Sequence, residues 1–249
     1  MKTYLKSILP QLKNYSLTLD KTSILIDKPW ALIDEEYELQ KLIFKKNKEL
    51  ILSKNGQVSI GKWDYFPQAK SLLIDRNTDM ILCNEQFIDE GIMILKLDGT
   101  ENRFFVLANE NIVPDLDASR YLKELRYQKL NITTRALSSG KVIEIQRVPG
   151  DFVIEISNNV FFDGEKVPDG KYYLSSNEST LLVINSRIAN IYKIRIYKTK
   201  DGTYLIVEQS HSNSRRLGDA VFINNQPAPD GKYKLGLFSS IKVKDGKIV

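Results

Sequence analysis

Apolar residues follow two spacings along this chain. Across residues 22–112 they cluster in short runs, many alternating with polar residues, and turn-forming residues separate the runs. Alternation of period two puts one side chain of each pair on either face of a strand. The runs predict strands at Ser23–Ile26, Trp30–Ile33, Gln40–Phe44, Leu50–Leu52, Gln57–Trp63, Ser71–Ile74, Met80–Cys83, Ile92–Leu97 and Arg103–Leu107. Turns are expected at Asp34-Glu35-Glu36, Asn47-Lys48, Asn55-Gly56, Asn77-Thr78-Asp79, Glu90-Gly91 and Asp98-Gly99. Spacing this short predicts an antiparallel meander, hence a barrel or a strongly curved sheet. Two stretches carry the helical spacing instead. Tyr4, Leu5, Ile8, Leu9 and Leu12 share one stripe in residues 1–15, interrupted by Pro10. Such a helix suits the end of a barrel or sheet, with a membrane-surface or partner-binding role as the alternative. Residues 115–130 form the second helix, capped by Asp115 or Asp117, with Tyr121, Leu122, Leu125 and Leu130 on its apolar stripe. Its place between two β-rich regions marks it as an inter-domain connector, followed by a polar loop at Asn131–Gly140.

The C-terminal half is organised by a duplication. Val160–Leu174, VFFDGEKVPDGKYYL, returns as Val221–Leu235, VFINNQPAPDGKYKL. In each copy an apolar aromatic run meets a tight turn, Asp163-Gly164 or Asn224-Asn225. A second turn follows at Pro168-Asp169-Gly170 or Pro229-Asp230-Gly231. Tyr172 and Leu174, or Tyr233 and Leu235, then share the inward face of a strand. Upstream, Val142–Ile145 matches Lys193–Ile196, and Phe152–Ile156 matches Tyr204–Glu208 as a returning strand. Downstream, Leu182–Ile184 matches Ile241–Val243. On this alignment Gln209–Asp219 is an insertion in the second copy. The expected organisation is mainly β. A short helix and β domain occupy 1–114, a connector helix and loop 115–136, and a duplicated small all-β domain 137–249, with copies at 137–188 and 189–249.

Composition narrows the class only modestly. A net charge of +5 is a small excess of 36 basic over 31 acidic residues, so a polyanion partner is weakly favoured at best. The single cysteine, Cys83, rules out an intramolecular disulfide, and its Ile81-Leu82 flank predicts a buried thiol. No apolar run reaches the roughly 20 residues of a membrane-spanning helix, and the N-terminus lacks a signal-peptide core. The expected location is cytoplasmic.

Trp30, Phe44 before Asn47-Lys48, Gly61-Lys62-Trp63, Leu72-Leu73-Ile74 and Ile94–Leu97 together resemble bacterial lipocalin-like domains, over residues 28–97. Lys28-Pro29-Trp30 departs from the Gly-x-Trp of that pattern. The resemblance implies a β-barrel and an apolar ligand cavity bounded by Trp30, Phe44 and Trp63. The PDGKYxL unit resembles small β repeats appended to proteins of bacterial and phage assemblies.

The chemistry-bearing residues exclude more than they assign. One histidine, His211, and one cysteine exclude a zinc site of the Cys/His type. No Gly-x-Ser-x-Gly and no phosphate-cradling glycine loop occurs. The Asp-Gly pairs read as turn chemistry. No cofactor is implied. Two stretches suit binding: the strand face of Lys193, Arg195 and Tyr197, which could track a phosphate backbone, and the polar segment with His211, Arg215 and Arg216. The reading is therefore a non-enzymatic binding or structural module that engages a protein partner or self-assembles. A carrier of a small apolar ligand is the first alternative, and nucleic-acid binding through 193–200 the second.

Overall fold

A computed structural model describes residues 2–17, 22–33, 40–101, 103–176, 179–210 and 214–249. The chain divides into two compact units, Met1–Lys129 and Leu130–Val249. The turn expected at Asp34-Glu35-Glu36 lies outside the described residues.

The first unit is an eight-stranded antiparallel barrel. Its strands are β1 Trp30–Leu32, β2 Gln40–Phe44, β3 Glu49–Lys54, β4 Gln57–Phe66, β5 Ser71–Asp75, β6 Met80–Ile88, β7 Ile92–Leu97 and β8 Phe104–Asn109. Each pairs with the next, and β1 closes the ring on β8 with Ala31 opposite Ala108. The inward faces meet in register: Trp30 opposite Leu42, Leu42 opposite Leu52, Phe44 opposite Leu50, Trp63 opposite Ile74, and Leu72 opposite Cys83. All of these side chains are buried in one apolar core. Burial of a large apolar side chain contributes about 2 kcal/mol, so this ring is the main source of the unit's stability. Gly61 is required by close approach: a Cβ there would lie 2.1 Å from the Asp75 carbonyl oxygen. The stretch Ser23–Ile26 does not form the expected strand. Thr22–Ile24 is a 3-10 turn, and only Ile26 bridges to Phe44. The turn serves Trp30, whose indole donates to the Leu25 carbonyl at 3.2 Å.

Helix α1, Lys2–Leu12, includes Pro10, and α2, Ala118–Lys129, follows the barrel. Asp117 caps α2 by accepting from the Arg120 amide at 2.9 Å. Both helices pack on the outer wall: Leu5, Ile8, Leu12, Ala118 and Leu122 meet Phe87, Ile92, Ile94, Val106 and Ala108 of β6–β8. These strands are covered on both faces, which explains their nearly continuous apolar character. A polar clamp fixes α2. Tyr121 donates to Asp89 Oδ2 at 2.7 Å, while Asp89 Oδ1 accepts from the Gly91 and Ile92 amides at 3.0 and 2.7 Å.

The second unit contains β9 Ile132–Ala136, β10 Val142–Gln146, β11 Asn159–Phe162, β12 Glu165–Lys166, β13 Gly170–Tyr173, β14 Ser179–Ile184 and β15 Arg187–Lys198. It continues with β16 Tyr204–Gln209, β17 Ala220–Ile223, β18 Gln226–Pro227, β19 Gly231–Lys234, β20 Ser240–Lys244 and β21 Lys247–Ile248. All thirteen belong to one hydrogen-bonded network, antiparallel at every junction between strands. Two apolar cores lie along it. Ile143, Ile145, Val160, Leu181 and Val183 build one, and Leu205, Val207, Val221, Ile241 and Val243 the other. β15 runs unbroken through both: Ile188 and Ile191 enter the first core, Tyr197 the second.

The PDGKY runs explain themselves through two bonds each. Tyr172 donates to the Pro168 carbonyl at 2.7 Å, and Tyr233 to the Pro229 carbonyl at 2.8 Å. Asp169 accepts from the Asn185 amide, and Asp230 from the Asp245 amide, both at 2.7 Å. These aspartates therefore brace a distant turn rather than their own. Asp163-Gly164 and Asn224-Asn225 all adopt positive φ, so Asn-Asn performs the turn of Asp-Gly.

Three expectations are corrected in this unit. Asn131–Gly140 is not all loop, since Ile132–Ala136 forms β9 against β10. Its Ile-Thr-Thr start is β-branched, and the polarity of threonine hides a strand former. Phe152–Ile156 is not a strand. The Glu155 amide is taken by Asn158 Oδ1 at 2.8 Å, and Phe152, Val153 and Ile156 are exposed. The strand that precedes each repeated run is Val142–Gln146 or Tyr204–Gln209, with Ile145 opposite Val160 and Val207 opposite Val221. The segment after Gln209 is thus no insertion: Arg147–Asn158 occupies the same place before β11.

Candidate functional site

The strands around β16 alternate, and their second face is open. Leu205, Val207 and Val221 enter the core, so Ile206, Glu208 and Phe222 point the other way. With Ile194 and Ile196 of β15 they form the floor of a groove of about 520 Å³. Ser138, Tyr173, Leu174, Ser179 and Thr180 line the rest of it. This size and this mixture of apolar floor and few polar groups match sites that hold small molecules or partner side chains.

The groove's polar anchor is Glu208. It is buried, and it accepts from Lys171 Nζ at 2.5 Å and Thr180 Oγ1 at 3.3 Å. Lys171 also lies 5.0 Å from the Tyr192 ring centroid. Burial alone would lower the Lys171 pKa, but the bond to Glu208 and its charge outweigh this and raise it above the usual lysine value. The pair joins β13 to β16, 37 residues apart in the chain. Sequence offered no local signal for it.

The expected surface residues are only partly brought together. Arg195 and Tyr197 share the face of β15 opposite the groove. Tyr197 is half-buried, and its hydroxyl accepts from Gln209 Nε2 at 2.7 Å. The Arg215 guanidinium stacks 5.0 Å from the Tyr197 ring and reaches Ser239 Oγ at 3.5 Å. Lys193 is half-buried opposite Gln209, and the Arg216 amide donates to Asp219 Oδ2 at 2.7 Å. His211 lies outside the described residues.

Trp30, Phe44 and Trp63 do converge, inside the barrel core. Phe44 and Trp63 meet edge to face at 5.3 Å and 79°, and the Trp63 indole donates to the Lys45 carbonyl at 3.0 Å. Cys83 lies in the same core, and burial pushes its thiol up to about 11, against a weaker pull from Arg76. A thiol in that state is a poor nucleophile at neutral pH. Among the described residues no group of three or more His, Cys, Asp or Glu is placed to hold a metal ion.

A denser basic surface lies elsewhere, on β19–β21. Lys232, Lys234, Lys242, Lys244 and Lys247 are all exposed. Its signal in the sequence is the alternation Lys-Tyr-Lys and Ile-Lys-Val-Lys, which places every lysine on one face. No protein-family model matches this chain, and neither a curated protein nor a solved structure matches it.

Proposed function

We propose that this protein is a non-enzymatic binding module that engages a protein partner through its C-terminal β unit. The observation that carries this reading is the groove floored by Ile194, Ile196, Ile206 and Phe222, where Ile196 is 65% exposed. Apolar side chains held open by a strand scaffold gain most when a partner's apolar residues remove them from water. We further infer that the two PDGKY runs are copies of one unit. Their paired tyrosine and aspartate bonds support this. The lipocalin-like reading of the barrel is likewise a proposal, supported by eight closed strands and by Trp63 two residues after the close-approach Gly61.

The test is native mass spectrometry of the full chain purified from its own host, beside Ile196→Glu. The expected wild-type species carries a second protein chain, and the variant runs as a bare monomer with unchanged circular dichroism. A bare wild-type monomer, or a variant that keeps the partner, would overturn the proposal. A small-molecule adduct in place of a protein would overturn it in favour of a carrier.

A further inference from the structure

The hairpin β19–β20, at the edge of the sheet, combines a lysine face with an apolar tip. On β19, Lys232 and Lys234 flank the inward Tyr233; on β20, Lys242 and Lys244 flank the inward Val243. Lys247 continues the face on β21 beside the inward Ile248. Register sets Lys232 directly opposite Lys242, and Lys244 opposite Lys247. Like charges facing each other across strands destabilise a sheet unless a counter-charge covers them. The acidic residues of this segment do not supply it. Asp230 and Asp245 sit at the end of the hairpin away from the tip and are tied to each other's turn by the Asp245 amide. No ion pair among the described residues involves any of the five lysines.

The tip between β19 and β20 is Leu235–Ser239, closed by the Leu235 and Gly236 amides on the Ser239 carbonyl at 2.8 and 3.2 Å. It presents Leu237, 85% exposed, and Phe238, fully exposed. An edge strand pair that only needs to stay soluble is served by the lysines and gains nothing from these two side chains. The fold does not demand the full set. At the matching places β13–β14 keeps one lysine, Lys171, but carries Tyr173, Leu182 and Ile184 where Lys234, Lys242 and Lys244 stand, and begins its tip with Ser175 and Ser176.

We propose that this hairpin docks the protein onto an anionic lipid surface. Leu237 and Phe238 enter the headgroup–acyl boundary, and the five lysines lie over the headgroups. The hairpin meets the surface at a slant: Lys244 is four residues beyond Ser240, or about 13 Å along the strand, so a side-on approach brings the face within about a Debye length of the phosphates. A nucleic acid fits less well. Leu237 has no π face for a base, Tyr233 points inward, and Phe238 is the lone aromatic of the tip. This surface is separate from the groove, and the proposal does not depend on it.

The test is cosedimentation of the full chain with phosphatidylcholine vesicles prepared with and without phosphatidylserine. Binding is expected only when phosphatidylserine is present, and is expected to weaken as salt rises. Lys242→Gln with Lys244→Gln should weaken it about 25-fold, at roughly fivefold per lysine. Phe238→Ser should weaken it about tenfold or more through lost apolar burial. Both variants change exposed side chains, so circular dichroism should match wild type, and Ile196→Glu should bind vesicles as wild type does. Equal or absent binding to both vesicle types would overturn the proposal. So would an undiminished Phe238→Ser, or an oligonucleotide held by the same lysines more tightly than the vesicles.

Discussion

Replacing Lys171 by Met tests the polar lock between β13 and β16. Met keeps an aliphatic stem of similar length and removes the ammonium, together with its place 5.0 Å from the Tyr192 ring centroid. Glu208, 3% exposed, is then left with Thr180 Oγ1 at 3.3 Å as its remaining side-chain donor. Breaking a fully buried ion pair from one side costs about 3–5 kcal/mol. Lys171 is 36% exposed, so water replaces part of the lost interaction, and the expected cost falls to about 2 kcal/mol. Glu208→Gln removes the charge but keeps an acceptor facing Lys171, and should cost about 1 kcal/mol. The double variant leaves no orphaned carboxylate. It should therefore be more stable than the sum of the singles by about 1–2 kcal/mol. The assay separates the units cleanly. Both tryptophans, Trp30 and Trp63, belong to the barrel, so tryptophan fluorescence in urea follows Met1–Lys129 alone. Amide exchange across 170–209 follows the second unit, and Lys171→Met should speed it about 30-fold while the fluorescence midpoint stays put. The pH dependence has a definite sign. Because the folded-state pKa of Lys171 is raised above 10.5, its contribution is whole below pH 10.5 and fades as pH climbs through the folded value. The difference between wild type and Lys171→Met should then shrink only in strong alkali. Unchanged exchange, or a fluorescence transition that moves in step, would refute the lock.

The barrel offers two further tests. Gly61→Ala places a Cβ 2.1 Å from the Asp75 carbonyl and must push β4 from β5, at a cost of about 3 kcal/mol; a tryptophan-monitored urea midpoint equal to wild type would contradict the close-approach account. Burial raises the Asp89 pKa above 3.8, against the opposing bonds from Tyr121 and the Ile92 and Gly91 amides. A raised folded pKa stabilises the protonated form, so this contribution is present below pH 3.8 and lost as pH rises through the folded value. Asp89→Asn should therefore flatten the barrel's stability between mildly acid and neutral pH, and change it at neutral pH by no more than about 1 kcal/mol. A pH profile as steep as wild type would assign the dependence to other groups. The groove and the lipid surface carry their own tests, through Ile196→Glu and Phe238→Ser.

Alternation made most of the barrel readable. Gln40–Phe44 and Ile92–Leu97 are strands at the expected bounds, because one buried face and short turns leave little freedom of register. The pattern misled where side chains and backbone disagree. Phe152–Ile156 alternates like a strand, yet Arg147 Nη1 donates to the Phe152 carbonyl and Asn158 takes the Glu155 amide, so loop bonds occupy the ladder positions. Ile132–Ala136 reads as loop because threonines stand at positions that are apolar in the other strands. The groove was half visible. Ile194 and Ile196 stood out as one face of a strand, but periodicity does not tell an open face from a core. The Glu208 lock depends on Lys171 in a different hairpin, and such long-range pairing leaves no trace in local spacing. The lysine face was written plainly as alternate lysines. A solvated outer face carries the same pattern, so alternation alone does not single it out.

The continuity of β15 has a consequence for dissection of the molecule. Ser179 and Thr180 of β14 pair with Lys193 and Tyr192, while Lys193–Lys198 pair with β16, so the strand is a shared wall with no seam. A fragment that ends before Lys193 strips the second core of its edge; one that ends after Lys198 keeps that edge but leaves β16–β21 without it. Residues 130–198 and 199–249 are therefore two complementary pieces in which the first donates a strand that the second lacks. The turn Thr199–Thr203 that opens the second piece, tied by the Thr199 amide on the Thr203 carbonyl at 2.8 Å, is the natural place for a split protein that reassembles by strand complementation.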